Sequence, residues 1–171
     1  SGINLSTLRS STETLSKGGH SSGPVSFMRG ADAVAGMIAS GGSTRRAAKM
    51  VVLNIDHPDS MKFIRSKAEE EKKVRAFIDA GYNMYDLNND AWNSIQYQNA
   101  NNSVRVTDEF MQAVENDETY STHFIATGAI AETHRARDLM RLIAEAAWEC
   151  GDPGMQYDTT INNWHTSSNT D

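Results

Sequence analysis

The sequence predicts an α/β fold in which strands and helices alternate around a mainly parallel sheet. Met50-Val51-Val52-Leu53-Asn54-Ile55 is an almost unbroken apolar run, the pattern of a strand buried on both faces. Glu132 to Cys150 repeats apolar residues every four, with Leu139, Ile143 and Ala147 beside Met140, Ala144 and Trp148, the pattern of a long helix. Breaks rich in glycine, proline or asparagine separate the periodic stretches. The resulting order is strand, helix, strand, helix, strand, helix, strand, and such alternation implies crossover units with helices outside the sheet.

The elements follow in chain order. Ile3 to Leu8 alternates apolar and polar, as a half-buried strand does. Ser10 to Gly23 is polar and rich in small residues, which predicts a loop. Pro24 occupies a first helical position with Ser22 as its cap, and the helix runs from Val25 to Ser40. Val25, Met28, Ala31, Ala35 and Ile38 form its stripe, widened by Phe27, Val34 and Met37, so the helix lies deep in a core or at a subunit interface. Gly41-Gly42 ends it at the position glycine favours. His57-Pro58-Asp59-Ser60 breaks the apolar strand, and Asp59 or Ser60 caps the next helix. Met61, Ile64 and Ala68 mark that helix's inner face, and Glu69-Glu70-Glu71-Lys72-Lys73 reads as a solvated face with i,i+4 pairs. Val74, Phe77 and Ile78 continue a helix to Gly81, and Tyr82 to Gln98 is expected to be irregular. Val104 to Val106 is a short strand, and Thr107 caps a helix through Val114 with Asp108 and Glu109 in its first turn. Tyr120 to Ala126 is a candidate strand. Gly151-Asp152-Pro153-Gly154 stops the long helix, and Met155 to Ile161 closes as a strand. A chain that opens directly in an apolar run and stops in the polar tail Ser167 to Asp171 reads as an internal piece of a longer protein.

Composition narrows the function classes. With 39% hydrophobic and 22% charged residues, the 171-residue chain suits one packed domain rather than disorder. A net charge of −6 argues against a nucleic-acid surface driven by overall charge, while leaving room for a local basic pocket. The apolar run at 31–39 is far shorter than the ~20 residues of a membrane span. The single cysteine, Cys150, suits a reducing compartment and so a cytoplasmic protein. Eight methionines fit an adaptable core.

Conventional catalytic constellations are not visible. His20, His57, His123, His134 and His165 lack metal-site spacing and read as surface or capping residues. Cys150 beside Trp148 reads as an inert thiol, and no nucleophile-elbow pattern is present. The informative feature is a pair of glycine-rich loops flanking one apolar helix, Lys17-Gly18-Gly19-His20-Ser21-Ser22-Gly23 and Ser40-Gly41-Gly42-Ser43-Thr44-Arg45-Arg46. Glycine lets backbone approach a ligand, hydroxyls donate, and arginines clamp phosphate. The first loop also feeds a helix N-terminus, where anions are favoured. On the residues alone, a nucleotide- or phosphate-binding module, an oligomerisation segment and two plain connections all remain open.

Several stretches in order resemble ribonucleotide reductase large subunits. Gly2-Ile3-Asn4-Leu5-Ser6-Thr7-Leu8-Arg9 is similar to the segment after their glycine-rich substrate turn. Ser22-Gly23-Pro24-Val25-Ser26-Phe27-Met28 resembles the helix after the first specificity loop, and Gly41 to Met50 resembles the second loop and the strand it enters. His57-Pro58-Asp59 with Phe63-Ile64 and Lys67, Asn101-Asn102-Ser103-Val104-Arg105-Val106-Thr107-Asp108-Glu109-Phe110-Met111, Ala136-Arg137-Asp138-Leu139 and Asp152-Pro153-Gly154-Met155 continue the likeness. Phe27-Met28, the Asn101 to Val104 wording and the insertion before it resemble the adenosylcobalamin-dependent class rather than the iron-dependent one.

The resemblance implies part of a ten-stranded α/β barrel that reduces ribonucleotides by radical chemistry. It implies adenosylcobalamin in the parent enzyme, a nucleotide substrate, a deoxynucleoside triphosphate effector, a homodimer, and the rest of the reductase chain as partner. It implies that Arg9, Lys17, Gly18, Gly19, His20, Ser21 and Ser22 hold the effector's phosphates. Gly41, Gly42, Ser43, Thr44, Arg45 and Arg46 would lie between effector and substrate, and Gly2 and Asn102 would edge the substrate pocket. The family's redox cysteine would precede Gly2, and its finger motif of Asn, Cys and Glu would follow Asp171. Ser167 stands after His165-Thr166 where the family often has cysteine, so no catalytic residue is expected in this segment.

Overall fold

The computed structural model describes residues 1–37, 49–86 and 90–167. In chain order the elements are β1 (Gly2–Asn4), α1 (Gly23–Met37), β2 (Lys49–Asn54), α2 (Ser60–Asp79), a short 3₁₀ helix (Asp90–Ser94), β3 (Ala100–Val106), α3 (Asp108–Asn116), β4 (Thr119–His123), β5 (Ile130–Arg135), α4 (Ala136–Cys150), β6 (Gly154–Tyr157) and α5 (Asp158–Asn163). Four strands make one sheet in the order β1-β2-β3-β6, every pair parallel, while β4 and β5 form a separate antiparallel hairpin. Crossovers that always advance in one direction collect the helices on one face, as barrels require.

Register decides which side chains meet those helices. Val51 pairs with Asn102 and Leu53 with Val104. Val51, Leu53, Ile55, Val104 and Val106 are buried in one cluster with Met28, Phe63, Ile64, Phe110, Leu139 and Ile143 from the helices. Fully burying a side chain of this size contributes on the order of 1.5–3 kcal/mol. The opposite face carries the alternate residues, Gly2, Asn4, Met50, Val52, Asn54, Asn101, Ser103, Arg105, Gly154 and Gln156, and is polar apart from Met50, Val52 and the glycines. A smaller cluster of Val74, Met84 and Ile95, flanked by Phe77 and Trp92, sits under the irregular stretch after α2.

Most expected elements form, with informative differences. β1 ends at Asn4, short of Leu8, because the Asn4 side chain accepts from the Ser6 N–H at 2.9 Å and its hydroxyl at 2.6 Å and turns the chain. α1 begins at Gly23, and it is Ser21 rather than Ser22 whose hydroxyl accepts from the Gly23 N–H, at 3.3 Å. On α1, Val25, Met28 and Ala35 face inward, whereas Phe27, Val34 and Met37 are exposed. Asp59 precedes α2 without capping it through its side chain, because a ψ near 9° aims its carboxylate elsewhere. Glu70, expected on a solvated face, is buried and accepts from the Gln96 N–H at 3.0 Å.

β3 starts at Ala100, earlier than Val104, because Ala100 to Ser103 pair with Lys49 to Val52. Thr107 caps α3 as expected, accepting from the Phe110 N–H. The long helix starts at Ala136 rather than Glu132. The preceding residues pair with β4 instead, through a Ser121–Thr133 hydroxyl contact of 2.9 Å among others. Trp148 on α4 is 90% exposed, so only one of that helix's two stripes is core. Gly151 terminates α4 in the left-handed region at φ 81°, and β6 stops at Tyr157, where α5 begins. Among the described residues, no helix is long and apolar enough to cross a membrane.

Gly23 joins the loop after β1 to α1 at φ 73°, and an added Cβ would lie 2.7 Å from Asp59 Oδ2 and 2.8 Å from Ser11 Cβ. Gly81 also has a positive φ, 89°, but open space around it. Gly23→Ala is therefore expected to destabilise the protein by about 2–4 kcal/mol, from conformation and overlap together, and Gly81→Ala by roughly 1 kcal/mol. Urea unfolding of both variants checks this, and equal losses would overturn the steric account.

Candidate functional site

The loop between β1 and α1 is rigid at its base and open at its tip. His57 and Asp59, in the turn between β2 and α2, grip the base. His57 Nε2–H donates to the Leu8 carbonyl at 2.9 Å, and its Nδ1 accepts from the Asp59 N–H at 3.0 Å. Those partners make Nε2 the ring's donor and Nδ1 its acceptor. Asp59 spends both carboxylate oxygens on Ser11, accepting from its N–H at 2.7 Å and its hydroxyl at 2.6 Å. Glu13 accepts from the Ser10 N–H at 2.7 Å and, from the turn between β4 and β5, from Ile125 and Ala126 at 3.3 and 2.9 Å. Burial pushes the Glu13 carboxyl up, but the amides of Ala126, Ser10 and Ile125 and the nearby Arg9 charge hold it below the usual glutamate range.

Beyond this base the chain doubles back as a narrow hairpin. Thr14 pairs with His20 across an antiparallel bridge, the Leu15 N–H donates to Gly19 O at 2.9 Å, and the Gly18 N–H donates to Leu15 O at 2.9 Å. Gly18 and Gly19 at φ 88° and 84° make the reversal possible. Residues 14–20 are exposed, which presents Lys17, Gly18, Gly19 and His20 together at the tip. Arg9 and Ser21 meet at the mouth, where the Ser21 hydroxyl donates to the Arg9 carbonyl at 3.1 Å. Arg9 and Ser22 are exposed beside the start of α1. The arrangement offers solvent-facing N–H groups, two cationic side chains and a helix N-terminus on one loop, which suits an anionic ligand.

The opposite end of α1 has a different character. Asp32 is buried and accepts from the Asn99 N–H at 2.7 Å. A Cβ on Gly36 would lie 2.8 Å from Asn99 Nδ2, so helix and chain approach closely there. A cavity of about 550 Å3 lies between them, lined by Arg29, Gly36, Met37 and Trp92 among others. The second glycine-rich loop, with Gly41, Gly42, Ser43, Thr44, Arg45 and Arg46, lies outside the described residues.

Gly2 and Asn102 are not brought together. Gly2 aligns with Met50 and Asn101 on the polar face of the sheet, whereas Asn102 pairs with Val51 on the face that meets the helices. Asn102 is 2% exposed; its Nδ2 donates to Ser66 Oγ at 3.4 Å, and its Oδ1 has no hydrogen-bond partner among the described residues. The period-two alternation of a strand makes Asn101, not Asn102, the neighbour of Gly2. Arg105 and Asp158 also meet at the polar face, with Nε 3.3 Å from Oδ1. The roles of His57, Asp59 and Glu13 carry no local signal, because they depend on partners more than 40 residues away.

The Cys150 thiol lies within hydrogen-bond distance of the carbonyls of Ala146, at 3.2 Å, and Asp152, at 3.3 Å. Among the described residues, no group of three or more His, Cys, Asp or Glu side chains is placed to hold a metal ion.

Comparison with known proteins gives these features a setting. A family model described as "Ribonucleotide reductase, barrel domain" matches residues 1–171. A vitamin B12-dependent ribonucleotide reductase of Streptomyces clavuligerus is 61% identical over 96% of the chain, and one of Rhodopirellula baltica is 51% identical over 98%. A vitamin B12-dependent ribonucleoside-diphosphate reductase of Mycobacterium tuberculosis is 37% identical over 86%. The chain spans 16–18% of the length of these relatives. Its parallel strands, its sequential crossovers and a match that runs its whole length agree, and the chain belongs to the ribonucleotide reductase family as part of the barrel domain.

Proposed function

We propose that this chain is the effector-binding and substrate-framing segment of a vitamin B12-dependent ribonucleotide reductase that supplies deoxyribonucleotides for DNA synthesis in the cytoplasm. The observation that carries the reading is the loop after β1. A base held by His57, Asp59 and Glu13 presents an exposed tip of Lys17, Gly18, Gly19 and His20 with Arg9 at its mouth. Such a loop meets a triphosphate with little ordering cost, because its backbone is set before the ligand arrives. Ser22 adds an exposed hydroxyl beside the start of α1, while the Ser21 hydroxyl steadies the Arg9 backbone.

A homodimer fits the same geometry. α1 has 15 residues and, at about 1.5 Å per residue, is roughly 22 Å long. A homodimer would set a second copy along this helix. The exposed Phe27, Val34 and Met37 on α1 offer an apolar surface for that second copy. Gly41 and Gly42 allow that loop alternative backbone shapes, as coupling between effector and substrate demands, while Arg45 and Arg46 supply charge for substrate phosphate. The polar sheet face with Gly2, Asn101, Ser103 and Arg105 frames the substrate, while Asn102 supports it from behind.

In this family's chemistry a thiyl radical takes the ribose 3′ hydrogen, the 2′ hydroxyl leaves as water, and a cysteine pair is oxidised to a disulfide. Cys150 is the only cysteine here and faces backbone carbonyls, so those roles fall to other parts of the parent chain. The described residues do not fit adenosylcobalamin. The cavities of about 550, 470 and 570 Å3 are lined by mixed polar, charged and apolar side chains of helices, loops and β5, and none of those linings marks a corrinoid site. The cofactor is accordingly assigned to the rest of the parent, and no residue of this segment is assigned to it.

The purified 171-residue chain is expected to form no deoxynucleotide from ribonucleoside di- or triphosphates, even with adenosylcobalamin and a dithiol. Product in a chromatographic assay would overturn this. In the parent enzyme, Arg9→Ala is expected to raise effector dissociation constants about tenfold or more, the scale of a lost charge-assisted hydrogen bond. Gly42→Val is expected to scramble which effector stimulates which substrate. Effector dissociation constants measured with and without each substrate check both, since coupling is reciprocal. Wild-type coupling in every pair would refute the role of the second loop.

A further inference from the structure

Glu13 is a buried charge that none of the proposed nucleotide contacts uses, and it sits at the meeting point of two elements distant in sequence. Its carboxylate takes the Ser10 N–H on one side and the Ile125 and Ala126 N–H groups on the other. Its backbone completes the grip, with its N–H donating to Ser10 O at 3.1 Å and its carbonyl accepting from the Ser21 N–H at 2.9 Å. Both strands of the glycine-rich hairpin, one entering at Ser10 and the other leaving at Ser21, are thus referenced to this single residue.

The partner element is the turn between β4 and β5. It is closed by the Gly128 N–H donating to Phe124 O at 2.8 Å and the Phe124 N–H donating to Ala129 O at 2.9 Å. The base of the hairpin is fixed where the His123 N–H donates to Asp56 O at 2.8 Å, just beyond β2 and next to the turn that grips the loop. The hairpin stands outside the main sheet, and Ile130 is largely exposed. Between loop and turn lies a cavity of about 200 Å3. Packing therefore leaves space where the carboxylate makes its bridge. Burying a charge is a costly way to add stability alone, whereas two carboxylate oxygens and three directed N–H groups fix an orientation.

We propose that Glu13 is the positioning residue of the effector loop and that the β4–β5 turn is its anchor, so that the hairpin sets effector affinity without touching the nucleotide. This rests on the reading of the loop as the effector's phosphate site. Because Glu13 orients backbone that faces phosphate, its loss weakens every effector by a common factor, whatever the base.

The test uses the full-length parent reductase and equilibrium binding of each of the four deoxynucleoside triphosphates. Glu13→Gln keeps the shape and removes the charge. Gly128→Val places a β-branched residue at φ 71°, which displaces the turn without filling occupied space. Each variant is expected to raise all four dissociation constants about tenfold by the same factor, while effector-free turnover and substrate KM stay at wild-type values. The double variant is expected to bind no more weakly than the weaker single one, since both break one joint. Unchanged affinity in Glu13→Gln, additive losses, or an equal fall in effector-free turnover would overturn the proposal. If Gly128→Val does not fold, Glu13→Gln alone still decides through its common factor. Arg9→Ala separates the two ideas. If it weakens binding and Glu13→Gln does not, the joint is wrong and the loop reading stands. If neither does, both fall.

Discussion

The grip of the β2–α2 turn on the chain leaving β1 is the constraint on which the rest depends. Two residues of one turn, His57 and Asp59, satisfy three groups of a segment almost fifty positions earlier: Leu8 O, the Ser11 N–H and the Ser11 hydroxyl. Gly23 passes so close to Asp59 and Ser11 that no side chain fits. The contact holds the start of α1 against the end of β2 and leaves the intervening loop free to face solvent. Without it, β1 and α1 would be joined only by flexible chain, and the exposed tip would carry the ordering cost of its own closure.

Two further buried carboxylates perform the corresponding task at the approach to β3. Asp32 on α1 and Glu70 on α2 accept the N–H groups of Asn99 and Gln96, just before β3 begins. An irregular approach to a central strand carries backbone groups that no ladder satisfies, and each must find a partner. Here the helices supply it. Tyr97 can then sit at a positive φ of 61° with its ring buried. The entry to β3 is thereby held in register with β2.

What was legible in the sequence was local. The apolar run of β2, the Thr107 cap, the Gly151 stop and the inward stripe of Val25, Met28 and Ala35 follow from propensity and periodicity, which act over a few residues. The family, too, was legible, because its motifs survive as short words in order. What was not legible depended on distant partners. Asp59 looks like a helix cap by position, but its carboxylate turns to Ser11. Glu70 looks solvated within its charge run, but Gln96 draws it inward. Residues 130–135 have no strand pattern of their own, and they pair because β4 lies beside them. Asn101 and Asn102 are indistinguishable in sequence, and only the register with Val51 shows which one turns toward the helices.

The sheet of the described residues has two open flanks, one along β1 and one along β6. Every strand between them gains its ladder bonds from sequential neighbours, so each added strand–helix unit leaves as many unpaired backbone groups as it satisfies. Only the strand that closes the ring cancels that debt. Closure therefore adds one ladder beyond those that the units bring singly, and an arc of such a barrel keeps two flanks able to pair. Cut between units, a barrel of this kind is suited to reassembly from separate polypeptides, each arc acting as the template for the other's exposed flank.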